Sequence, residues 1–65
     1  MLVTVSYFAR SINETETEVH MLRNVGMPSY TDKYGTRWLI PYEEAMIWLA
    51  MNNYFSFKRH YLGGH

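Results

Sequence analysis

Three carboxylates at alternate positions, Glu14, Glu16 and Glu18, are followed in the same rhythm by His20. On a strand, that spacing puts all four side chains on one side. Such an acidic stripe could meet a basic partner surface or imitate a short run of phosphates. Its simplest role is a solvated strand face whose charge discourages edge-to-edge pairing. A second run, Tyr-Phe-Ser-Phe-Lys-Arg-His-Tyr from Tyr54 to Tyr61, interleaves rings with cations. Rings stack on bases and cations meet phosphates, as in binders of single-stranded nucleic acid. The residues that would carry this binding are Lys58, Arg59 and Tyr61, together with Arg37. Alternation nevertheless sets Phe55 and Phe57 opposite Lys58, the pattern of a core-facing pair with a cationic exterior.

Catalysis finds little to work with. The chain has no cysteine, no Gly-x-Ser-x-Gly, no phosphate-cradling glycine loop and no His-Glu-x-x-His. Ser6 and Ser11 have no base and orienting acid near them in sequence. Glu43 and Glu44 are adjacent, so on a helix they diverge rather than face each other. His20 and His60 lack a third metal ligand, so no metal or cofactor is expected. A chain of 65 residues also leaves little room for an enclosed pocket, for which about 300 Å³ is a lower bound. The expectation is a protein without enzymatic activity.

Six basic residues balance six acidic ones, and the isoelectric point is near 6.8. That balance favours neither nucleic acid nor an anionic membrane, both of which call for a net basic surface. Met1–Arg10 lacks the charged start and apolar core of an export signal. Tyr42–Met51, the longest nearly apolar run, is too short to span a bilayer and carries two carboxylates. With no cysteine as well, a cytoplasmic protein is expected. At 48% hydrophobic and 17% aromatic, the chain is rich enough to fold. A domain this size buries only about 60% of its unfolded surface, so a second subunit is an economical source of added core.

The elements that would position these residues follow from periodicity. Leu2–Ala9 and Thr15–Arg23 alternate and read as two strands of a hairpin, with Asn13 in the polar connection. Asn24–Gly35 holds Gly26, Pro28, Asp32 and Gly35 and reads as a long loop. Thr36–Ile40 is a short strand. Pro41–Asn53 is a helix, opened by Pro41 and by Glu43 and Glu44 in its first turn, and ended by Asn52-Asn53. Tyr54–Leu62 resumes alternation as a last strand, or else continues the helix. The expected fold is α+β, an antiparallel sheet of three to four strands with one helix, in the order β-β-β-α-β. Residues 1–62 form one compact domain, and 63–65 read as a tail of tag or linker character.

The helix of residues 41–53 is apolar on two sides. At about 100° per residue, Tyr42, Ala45, Met46, Leu49 and Ala50 share the face expected to meet the sheet. Ile47, Trp48 and Met51 lie opposite, where a second copy, the chain's own loop or another protein would cover them. Trp48 is the natural anchor of such a contact. The loop residues Met27, Tyr30 and Tyr34 offer a second one. The expected function is a non-enzymatic protein-binding module, a homodimer that acts by steric occlusion or tethering. The alternative is a small nucleic-acid-binding module using residues 54–61. In size, lack of motif and α+β layout, the whole chain resembles the short inhibitor proteins that phages and mobile elements encode, anti-CRISPR proteins among them. That resemblance implies inhibition of a host protein by surface occupation.

Overall fold

The computed structural model describes residues 1–58. The elements are β1 (Leu2–Thr4), α1 (Val5–Ser11), α2 (Glu16–Asn24), β2 (Tyr30–Thr31), β3 (Trp38–Pro41), α3 (Tyr42–Met51) and α4 (Tyr54–Lys58). The three strands form an antiparallel sheet in the order β1-β3-β2. Val3 stands opposite Ile40, and Tyr30 opposite Leu39. The α+β class and the antiparallel sheet therefore hold.

The element order does not. In place of β-β-β-α-β, the described chain runs β-α-α-β-β-α-α. The strand expected over Leu2–Ala9 stops at Thr4, whose hydroxyl accepts the Tyr7 N–H at 3.0 Å and caps α1. Val5, Phe8, Ala9 and Ile12 then recur at the i, i+3, i+4, i+7 spacing of a helix, and all four are buried. The strand expected over Thr15–Arg23 is also a helix. Thr15 Oγ1 accepts the Glu18 N–H at 3.1 Å, Glu16 and Glu18 stand in the first turn, and Val19 and Leu22 point inward. These two caps satisfy amide groups that a strand would have left to a sheet neighbour. The long loop is shortened at one end by α2 and contains β2.

The helix expected over Pro41–Asn53 is present as α3. Pro41 stands at its N-cap and closes β3, Asn52 is its C-cap, and Asn53 takes a left-handed φ of 57°. The described part of the last expected strand, residues 54–58, is α4; residues 59–62 lie outside the described residues, as does the tail 63–65.

One apolar core joins all of this: Val3, Val5, Phe8, Ala9, Ile12, Val19, Leu22, Met27, Ile40, Ala45 and Leu49. Tyr42 spans the seam between α1 and α3, with its ring edge-on to Phe8 at 5.9 Å and to Tyr7 at 6.4 Å. Among the described residues, no helix is long and apolar enough to cross a membrane.

Candidate nucleic-acid interface

The pair α1–α2 is joined by residues 12–15, and the two helices pack on each other. Asn13 makes the sharp part of this turn with φ 58°, a conformation that asparagine tolerates better than most residues. Ile12 is buried beneath it. The two short helices thus form one packed pair across a four-residue turn. The second helix, α2, turns Val19 and Leu22 inward and leaves Glu16, Thr17, Met21 and Asn24 exposed, with His20 half-buried among them.

Beside α2 stands the β2–β3 hairpin, whose connection, residues 32–37, is built around Asp32. Its Oδ2 accepts the Thr36 hydroxyl at 2.7 Å, and its Oδ1 accepts the N–H groups of Thr36 at 2.8 Å and Tyr34 at 3.1 Å. Gly35 closes the turn with φ 69°. These bonds, the Thr36 hydroxyl foremost, hold the Asp32 carboxyl below its ordinary value of 3.8. The hairpin tip therefore exposes the cations Lys33 and Arg37 while its own carboxylate is occupied within the turn. Because the folded value is lowered, this contribution is complete above the ordinary value and is lost as pH falls through the lowered one. Acidification from about pH 6 should shift the Tyr34 and Thr36 amide signals together, with a midpoint below 3.8.

The hairpin is fastened to α2. The Arg23 guanidinium lies 3.6 Å from the Trp38 ring centre, a cation–π contact between the last turn of α2 and the start of β3. The Arg23 Nε–H also donates to His20 Nδ1 at 3.2 Å. Between these elements runs an open groove of about 480 Å³, lined by Thr4, Val5 and Ser6 of the β1–α1 junction, Glu16 and His20 of α2, and Thr36, Arg37 and Trp38 of the hairpin. This groove is open to solvent and is not an enclosed pocket. The groove holds Ser6 and His20, but His20 Nδ1 is directed at a cation where a catalytic triad places a carboxylate. Among the described residues, no group of three or more His, Cys, Asp or Glu side chains comes together as metal ligands would.

The acidic stripe is dissolved by the helix. Glu16 lines the groove, whereas Glu18, about 200° further round the axis, turns to the other side. There Glu18 Oε2 accepts the Tyr54 hydroxyl at 3.2 Å, with Glu14 close by. Burial first, then these two carboxylates, push the Tyr54 phenol well above its ordinary value, so it remains a donor. This bond ties α4 to α2. Tyr54→Phe should cost about 1 kcal/mol in urea unfolding, since it removes one partly buried bond to a charged acceptor.

The residues expected to bind a protein are scattered. Met27 is buried in the core at 2% exposure, which removes it from any contact surface. Tyr30 and Tyr34 are exposed on the hairpin. Ile47 and Met51 are exposed on the back of α3, as the helical periodicity requires. Trp48 is half-buried on the flank of α3, with its indole against Gly26, where a side-chain carbon would stand 3.7 Å from Cζ2. Of the residues expected to bind nucleic acid, Arg37 lies in the groove. Lys58 ends α4, while Arg59 and Tyr61 fall outside the described residues. Thr17, Met21 and Asn24, which share an α2 face with His20, and Lys33 at the hairpin tip are candidates that the sequence did not single out. No known family model, curated protein or solved structure matches the chain.

Proposed function

We propose that the chain is a duplex-DNA-binding module that presents α2 to the major groove and the β2–β3 hairpin to the flanking backbone. The observation that carries this reading is the unpacked face of α2, held beside a cationic hairpin by the Arg23–Trp38 contact. The major groove is about 12 Å wide and admits one α-helix. Nine residues of α2 give it a length of about 14 Å, enough to lie there. Lys33 and Arg37 would meet phosphates, and so would Arg10, exposed one turn along α1 from Ser6. Formal neutrality of the whole chain is compatible with this, because two of the carboxylates stand away from this face, Glu18 toward Tyr54 and Glu43 on the Met1 ammonium at 2.8 Å, although Asp32 keeps its charge within the hairpin turn. This reading shifts weight to the nucleic-acid alternative and moves it from residues 54–61 to α2 and the hairpin.

Titration of a fluorescent mixed-sequence duplex at several salt concentrations tests it. Binding should weaken linearly in log–log form, with a slope of about −2 to −3 for two to three phosphate contacts. No binding at about 50 mM salt and micromolar protein would contradict it.

The second reading is a protein-binding module acting by occlusion or tethering, as a homodimer or on another protein. It is favoured by Ile47 and Met51, 60% and 78% exposed on one side of α3. The two readings use opposite parts of the molecule. A salt-insensitive association that Ile47→Ser disrupts would support the second.

A further inference from the structure

The Arg23–His20 hydrogen bond fixes what α2 can offer to a base. Arginine is always a donor, so His20 Nδ1, 3.2 Å from Arg23 Nε, must be the acceptor and carry no proton. In the tautomer that this bond requires, the imidazole proton is on Nε2, so His20, which lines the groove, offers a hydrogen-bond donor. One turn earlier, Glu16 lines the same groove and can only accept when ionised. An acceptor and a donor thus stand at i and i+4, side by side on one helix face.

Resting on the duplex-binding reading, we propose that Glu16 and His20 together select a C·G base pair: Glu16 accepts from cytosine N4 and His20 Nε2–H donates to guanine N7 or O6. A C·G pair shows both partners on its major-groove edge. Adenine suits Glu16 less well, because its amino donor is flanked by the N7 acceptor, which repels a carboxylate. Thymine offers no amino donor at all. Glu16, the residue least suited to a phosphate-lined surface, becomes the source of specificity. It rejects bases that leave its carboxylate, covered only once the duplex is bound, without a donor.

Selection from a randomised duplex pool at fixed salt, run on the wild type, Glu16→Gln and His20→Ala, tests this, with anisotropy on a mixed-sequence duplex in parallel. The wild type should enrich C·G over A·T at one position by about 10-fold or more. Glu16→Gln should transfer that preference toward A·T, since the amide can pair with adenine N6 and N7. His20→Ala should flatten the guanine requirement. If mixed-sequence binding is intact but no position favours C·G, or if Glu16→Gln leaves the preference unchanged, base reading by this pair is overturned and duplex binding stands. If the wild type fails to bind the mixed duplex, duplex binding itself falls, and this assignment with it.

Discussion

Reversing charge at the hairpin tip, in the double variant Lys33→Glu/Arg37→Glu, should weaken duplex binding by about 100-fold or more at 150 mM salt. Each substitution removes a candidate phosphate contact and replaces it with repulsion. The salt slope should become shallower by about 2, one counterion for each lost contact. Both side chains are exposed, and the turn is held by Asp32 and Gly35 rather than by them. The fold should therefore survive, with an unchanged circular dichroism spectrum and urea midpoint. The variants at Glu16 and His20 should behave differently, altering which sequence is bound more than how strongly salt competes. Equal duplex affinity in the double variant would place the phosphate contacts elsewhere.

Phe8→Ala should cost about 3–5 kcal/mol. Phe8 is fully buried where α1 meets Tyr42. A domain of this length has about 3–10 kcal/mol of stability in total, so the variant should lose from about a third to all of it, read as a large drop in the urea midpoint. Tyr7→Ala removes the residue next to it, half-exposed on the other side of α1, and should cost about 1 kcal/mol. The contrast also separates the two structures that the segment admits. On a strand, Tyr7 and Phe8 face opposite sides with nothing to say which is the core side; on α1, Phe8 alone closes the i, i+3, i+4, i+7 set.

That pair shows why the sequence was legible in parts. Glu43 and Glu44 mark the start of α3 and Asn52-Asn53 its end, while Pro41 stands one residue before the first helical position, as the N-cap that also closes β3. Ile47 and Met51 came out exposed for the same reason, a single unbroken 3.6 period. Asn13 was legible as a turn residue from its tolerance of positive φ. In Leu2–Ala9, by contrast, β-branched and aromatic residues alternate by coincidence with a helical period that Val5, Phe8, Ala9 and Ile12 also satisfy. The helical signals were Thr4 at its head and this four-residue spacing. For α2 the signal was Thr15-x-x-Glu18, the spacing of a helix cap, followed by Val19 and Leu22. Reading that segment as a strand also created the acidic stripe, because a period of two aligns Glu14, Glu16 and Glu18, whereas a period of 3.6 divides them between the groove and Tyr54. The candidate interface was not legible, since Arg23 and Trp38 meet, and Arg37 joins the groove, only after the hairpin folds back on α2.

The most direct test of the central claim is a map of backbone amide shifts in the labelled protein as a mixed-sequence duplex is added at low salt. Shifts should concentrate on Ser6, on Glu16, Thr17, His20, Met21 and Asn24, and on Lys33 through Arg37, while Ile47 and Met51 stay still. Shifts centred on the back of α3, or none at saturating duplex, would contradict it.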